Sequence, residues 1–152
     1  MRITQITEKY LQEYLECVKD LNSKGVNKSN LKKAEYILDN RCENVVTLIG
    51  LVDDRLVATC TLVLEDKIRY TERSCHIEDV AVMRDCRGKG YGKEILKYAI
   101  GYANSEGCYK IMLTCKDDLV KYYSDVGFNS LDNNMVMYVK NFDNNIGDDL
   151  GD

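Results

Sequence analysis

The sequence predicts a single α+β domain built on a mixed central sheet, and three observations carry that expectation. Two β-rich runs, Val45 to Val52 and Leu56 to Leu64, are separated by Asp53-Asp54-Arg55, which reads as an antiparallel hairpin. Further along, the apolar run Val80-Ala81-Val82-Met83 is followed by a glycine-rich turn, an amphipathic stretch and another β-rich run, and strand-helix-strand units are parallel. The chain has 152 residues, 45% of them hydrophobic, enough for one sizeable core and too few for two comfortable ones.

The elements follow in order. Met1 to Ile6 is a short strand candidate, and Thr7 is placed to cap a helix running to about Leu21 with Tyr10, Leu11, Tyr14, Leu15 and Val18 on one face. Asn22-Ser23-Lys24-Gly25 ends it, and a second helix is expected after Asn30, carrying Leu31, Ala34, Tyr36, Ile37 and Leu38. After the hairpin, polar Glu65 to Ser74 reads as a loop or bulged strand edge, and Cys75 to Met83 returns as a strand. Gly92, Ile95, Leu96, Ala99, Ile100 and Ala103 recur at helical spacing and define an apolar stripe to lay on the sheet. Tyr109 to Cys115 is the next strand, Asp118 to Asp125 a short helix ending at Gly127, and Met135 to Lys140 the strand that closes the sheet. The domain is thus expected over 1–140, with 141–152 an acidic flexible tail.

Composition narrows the function classes. Net charge is −4, and Asp143, Asp148, Asp149 and Asp152 lie in the tail; without them acidic and basic residues number 21 each. A pI near 5.1 with no basic run argues against nucleic acid as a partner. No apolar run approaches the ~20 residues that span a bilayer, and Arg2 and Glu8 interrupt any leader-like start, so a cytoplasmic protein without membrane contact is expected. Seven cysteines without a C-x-x-C and a single histidine, His76, support neither a metal site nor a disulfide framework.

The most specific stretch is Cys86-Arg87-Gly88-Lys89-Gly90-Tyr91-Gly92-Lys93, between the strand and the helix. Glycines let backbone turn tightly and approach a ligand, and the first N–H groups of a helix lack partners and carry partial positive charge. A phosphate or pyrophosphate fits there, with Arg87, Lys89 and Lys93 at the mouth. The spacing is neither the G-x-G-x-x-G of dinucleotide folds nor the G-x-x-x-x-G-K-[ST] of P-loops. Immediately upstream, His76-Ile77-Glu78-Asp79-Val80 sets two carboxylates side by side on an otherwise apolar strand. Successive strand residues face opposite sides, so the pair shares a face only if the strand is bulged. A carboxylate forced into such a place is expected to have its pKa raised toward that of a general base.

Arg87-x-x-Gly90-x-Gly92 resembles the signature of the GNAT N-acetyltransferases, whose loop holds the pyrophosphate of acetyl-coenzyme A, and the predicted strand and helix order βααβββαβαβ is that of the same fold. A closer resemblance spans most of residues 75–128. Cys75-His76-Ile77-Glu78-Asp79-Val80-Ala81-Val82, Cys86-Arg87-Gly88-Lys89, Gly107-Cys108-Tyr109-Lys110-Ile111 and Tyr122-Tyr123-x-x-x-Gly127-Phe128 are similar to the glucosamine-6-phosphate N-acetyltransferase family.

That resemblance implies acetyl transfer from acetyl-CoA to glucosamine 6-phosphate, on the route to UDP-N-acetylglucosamine, by a homodimer with no metal. It implies that Val80, Ala81 and Val82 pair with the pantetheine arm like an added strand, and that Arg87 to Lys93, including Tyr91, take the pyrophosphate. Glu78 would bind or deprotonate the sugar amine, Asp79 would position the hexose, and Tyr123 would protonate the leaving thiolate, with Tyr122 its excluded neighbour. Lys67, Ile68, Arg69 and Ser23 fall where the family contacts the sugar phosphate. Three positions depart from the family: Thr114 replaces an acidic sugar contact, Leu119 an asparagine, and Tyr138 a terminal-strand arginine that reaches the phosphate. An acetyltransferase for another amino sugar, a polyamine or a protein amine, or a non-catalytic acetyl-CoA-binding module, fits the same loop.

Overall fold

The computed structural model describes residues 1–21, 31–69 and 71–135. The strands are β1 (Arg2–Gln5), β2 (Val45–Val52), β3 (Arg55–Lys67), β4 (Glu72–Val82) and β5 (Cys108–Met112). The helices are α1 (Leu11–Val18), α2 (Leu31–Asn40), α3 (Tyr91–Ser105) and α4 (Val120–Ser124). The sheet order is β1-β2-β3-β4-β5, antiparallel except for the parallel β4–β5 pair, so it is mixed as expected. The expected closing strand after Met135, the tail, Ser23 and Tyr138 lie outside the described residues.

Consecutive residues are buried along both β2 and β3, so both faces of the central sheet are covered. α1 packs on one face with α2 against it, and α3 lays Ile95, Leu96, Ala99 and Ala103, all fully buried, on the other. Each large apolar side chain removed from water in this way contributes about 2 kcal/mol. The hairpin turn is Asp53-Asp54, with φ of 49° and 62°; two left-handed residues match the twist of the strands, and Arg55 already belongs to β3. Asp54 accepts hydrogen bonds from Lys9 Nζ and Tyr10 Oη, which ties the turn to the start of α1.

Several expectations need correction. Thr7 precedes the first helical turn in extended conformation, but its side chain makes no capping hydrogen bond. Of the two readings left open for Glu65 to Ser74, loop or bulged strand edge, the strand edge holds, since most of the segment is paired. Asp66 sits opposite Arg73 and Lys67 opposite Glu72, and Arg73 Nε donates to Asp66 at 2.8 Å. Opposite charges across an exposed ladder stabilise it without apolar residues, so the polarity marks a solvated hairpin end. β5 stops at Met112 instead of Cys115, because its pairing with β4 ends there.

Candidate active site

β4 carries the site, and the point where β5 leaves it opens the space. The β4–β5 pairing runs from Arg73 opposite Cys108 to His76 opposite Met112. Past that point β4 has β3 as its only strand partner among the described residues, and the other edge of Val80-Ala81-Val82 is open to an extended ligand.

The glycine turn lies at the end of β4. Gly88 and Gly90 have φ of 79° and 86°, a conformation that costs any other residue about 1–2 kcal/mol. Gly90 immediately precedes α3, whose first-turn N–H groups open at this end. At Gly92 a Cβ would meet Tyr122 Oη and come within 3.2 Å of Val82 Cγ2, so a larger residue there would have to displace the Tyr122 hydroxyl.

These elements enclose a cleft of about 630 Å³. Every residue expected to hold the cofactor lines it except Lys89, which is exposed. Arg87 Nε donates to Val82 O at 3.2 Å, folding the loop back on the strand. The opposite wall was not expected: Cys17 on α1, with Asp20 and Leu21 just beyond it. Asp20 accepts from both Arg84, at 3.0 and 3.1 Å, and Arg87, at 3.2 Å. Asp125 holds Lys121 at 3.1 Å and Lys93 at 3.3 Å. Arg84 first and Arg87 with it lower the pKa of Asp20, and Lys121 and Lys93 do the same for Asp125. Two cations of the loop thus sit in exposed ion pairs at either side of the cleft. Only the i,i+4 spacing of Lys121 and Asp125 was a sequence signal; Asp20 and its arginines lie far apart in the chain.

Tyr123 is buried, lines the cleft, and lies within electrostatic reach of Cys115 and of Cys60, the β3 residue at the register shift facing Asp79 and Val80. Burial pushes its phenol up to about 12, so the proton stays on through neutral pH. Tyr122 also lines the cleft, its ring 5.2 Å from that of Tyr123 and nearly perpendicular to it. Its hydroxyl is directed to Gly92 at the start of α3, and its ring faces Lys93 Nζ at 5.6 Å.

Glu78 and Asp79 stand at a bulge. Thr59 pairs with Ala81 and Thr61 with Glu78, so β4 contains one extra residue, and Asp79 has φ of 50°. The bulge turns Asp79 toward Tyr14 of α1, on the side of the sheet where Glu78 stands beside Thr61. Both carboxylates are exposed, and the bulge meets the condition under which the pair shares a face. The protein around Asp79 nevertheless displaces enough water to raise its pKa. Among the described residues neither makes an ion pair.

The remaining expected substrate contacts do not join this cluster within one chain. Lys67, Ile68 and Arg69 form the tip of the β3–β4 hairpin, six residues beyond Thr61, roughly 20 Å along the strand. Lys67 Nζ is paired with Glu65 at 2.7 Å. Thr114 is exposed, just past the end of β5 beside the split. Among the described residues no group of three potential ligands could hold a metal ion, and no helix is long and apolar enough to cross a membrane.

Comparisons with known proteins place the chain in a family and a fold. A glucosamine 6-phosphate N-acetyltransferase of Oryza sativa is 34% identical over 85 residues, 55% of this chain and 52% of that protein. One from Dictyostelium discoideum is 26% identical over 129 residues, covering 83% and 82%. The chain spans about half the length of the plant relatives it matches. Among solved structures, glucosamine-6-phosphate N-acetyltransferase from Arabidopsis thaliana superposes with a TM-score of 0.80 at 22% identity, covering 90% of this chain and 97% of that one. A predicted acetyltransferase from Clostridium acetobutylicum, solved with acetyl-CoA, gives 0.72 at 18% identity, covering 91% and 96%. The Acetyltransferase (GNAT) family matches residues 5–128, which include β4, the glycine turn, α3 and Tyr123, and the chain belongs to that family.

Proposed function

We propose that the protein transfers the acetyl group of acetyl-CoA to the amine of glucosamine 6-phosphate. The observation that carries this reading is the cleft itself, where a β4 edge with no neighbouring strand among the described residues, a left-handed glycine turn at a helix start and a buried, protonated tyrosine meet; Glu78 and Asp79 do not line it but directly precede Val80, which does. The names of the matched relatives support the same acceptor.

The residues fit the co-substrate. Val80 to Val82 offer backbone pairing to an amide-bearing arm, and Gly88, Gly90 and the first turn of α3 offer N–H groups to a pyrophosphate, with Arg87 and Lys93 beside them. The acceptor amine arrives as an ammonium without a lone pair, and Glu78, directly or through water, takes its proton. The freed nitrogen attacks the thioester carbonyl, a C–N bond forms, the nitrogen's second proton passes to solvent water, and the C–S bond breaks as the oxyanion collapses. Strand N–H groups near Val80 are suited to stabilise that oxyanion. Tyr123 gives its proton to the departing sulfur and regains one from solvent. Asp79 orients the acceptor. A homodimer suits the reading, because the exposed hairpin tip around Ile68 then has a second copy to contact.

The test is an acceptor screen with acetyl-CoA, monitoring free thiol. Glucosamine 6-phosphate is expected to give the highest kcat/KM; thiol release with another amine and none with it overturns the reading.

A further inference from the structure

On the α1–α2 face of the sheet, a second cavity of about 190 Å³ is lined by Tyr14, Arg41 and Thr47 among apolar residues that include Leu11 and Leu38. Arg41 lies just past the end of α2, with its backbone N–H donating to Ile37 O at 2.9 Å. Its guanidinium is half-buried and donates to Thr47 Oγ1 at 2.7 Å. Thr47 Oγ1 in turn lies 2.8 Å from Thr61 Oγ1. Among the described residues Arg41 has no carboxylate partner, in contrast to Arg55, Arg73, Arg84 and Arg87, each of which is paired. A guanidinium has five N–H donors in a planar fork, and one hydroxyl leaves most of them unused. A half-buried cation in that condition suits an oxyanion that engages the fork from two sides.

The position relates this cavity to the proposed reaction. Thr47 pairs with Thr61, and Thr61 with Glu78, so the three occupy one row across β2, β3 and β4. Two strand spacings separate its ends, about 10 Å. Tyr14 links the two regions, since it lines the cavity, contacts Thr61 and lies within electrostatic reach of both Arg41 and Asp79. A hexosamine 6-phosphate has its amine and phosphate at opposite ends of the ring, a separation of the same order. The hairpin cation Lys67 is already neutralised by Glu65 and lies far along β3.

We propose that Arg41, with Thr47 and Tyr14, is an oxyanion site, and that it holds the phosphate of the acceptor while Glu78 and Asp79 hold its amine end. The bearer of the phosphate rests on the proposed reaction; the oxyanion site does not. Inorganic phosphate is therefore titrated into the full chain with coenzyme A saturating, so that the glycine turn is filled, and Tm is followed against chloride at equal ionic strength. Wild type is expected to be stabilised, and Arg41→Gln to require ~10-fold more phosphate or better. Thr47→Val, which keeps the charge and loses its orientation, and Arg41→Lys, which keeps charge without the fork, are expected to fall between and serve if Arg41→Gln fails to fold. Equal phosphate response in wild type and the variants overturns the site. In steady state Arg41→Gln is expected to raise KM for glucosamine 6-phosphate ~10-fold or more, with a much smaller change in KM for glucosamine, which lacks the phosphate, and none in KM for acetyl-CoA. Loss of phosphate binding with no change in that KM overturns the acceptor assignment. A wild type that acetylates only other amines defeats the proposed reaction, and the phosphate titration still decides on Arg41.

Discussion

The glycine turn and the Asp79 bulge bound the same few residues of β4, and they are built on opposite terms. The turn uses left-handed backbone at Gly88 and Gly90, where glycine adopts it freely, and its cations Arg87 and Lys93 are held in exposed pairs with Asp20 and Asp125. The bulge uses left-handed backbone at Asp79, which aspartate tolerates at a higher cost than glycine, and it holds two carboxylates with no ion pair among the described residues. One region is unstrained, with its charge already compensated and exchangeable. The other carries uncompensated charge on backbone that costs aspartate more than it costs glycine. This is the division expected if the first binds a common polyanion and the second performs a reaction on it.

The largest effect that would break this comparison lies at the bulge. Glu78→Gln preserves shape and hydrogen bonding but cannot take a proton, and turnover is expected to fall ~10²-fold or more with coenzyme A affinity unchanged. Thiol release gives the first quantity and a coenzyme A titration the second. Unchanged turnover removes Glu78 from the mechanism. Tyr123→Phe is expected to cost less, about tenfold in kcat, because a thiolate is a good leaving group even without a proton donor. With its phenol pushed up to about 12, wild-type kcat should show no alkaline fall from this group through pH 9.

The difference between the two regions also explains what could be read from residues alone. Glycine announces left-handed backbone by its identity, so the turn, its helix and the cofactor class were legible in Cys86 to Lys93. The bulge was legible only as a condition, since adjacent Glu78 and Asp79 had to be out of phase unless one residue was extra. Which residue is extra depends on the β3 register, a long-range property. The hairpin end at Glu65 to Ser74 was legible only as an alternative between loop and strand edge, because its stability comes from cross-strand charge pairs, which single-chain periodicity does not register. Asp20, Tyr14 and Arg41 gave no signal, because each matters through a partner on another element.

A pH experiment sharpens the contrast. Desolvation raises the pKa of Asp79, so the native state binds its proton more tightly than the unfolded chain does. Ionisation therefore costs stability, a cost absent below the unfolded pKa near 3.8 that develops as pH rises through the interval up to the raised native value. Asp79→Asn, which tolerates left-handed backbone as aspartate does, should gain on wild type in Tm as pH rises from about 3 toward neutrality. Asp20 has the opposite sign. Its pKa is lowered by Arg84 and Arg87, so its pairs favour the native state above the ordinary carboxylate pKa and are lost on acidification. A Tm difference for Asp79→Asn that does not vary with pH would mean that its carboxylate is as well solvated as an unfolded one.

The smallest expected effect concerns Asp20 and decides whether the pairs at the turn are exchangeable. A pyrophosphate arriving beside Arg87 meets the carboxylate of Asp20, which is a competitor for the guanidinium and a like charge in the same cleft. Both are exposed and screened, so the repulsion is modest. Asp20→Asn is expected to tighten coenzyme A binding about threefold at low salt, with the difference fading as ionic strength rises toward 0.5 M. Calorimetric titration at two salt concentrations measures both. Weaker binding in Asp20→Asn, insensitive to salt, would show that Asp20 orients Arg87 for the ligand. The turn would then depend, as the bulge does, on a group held in place by the far wall of the cleft, and its independence of the rest of the fold would be lost.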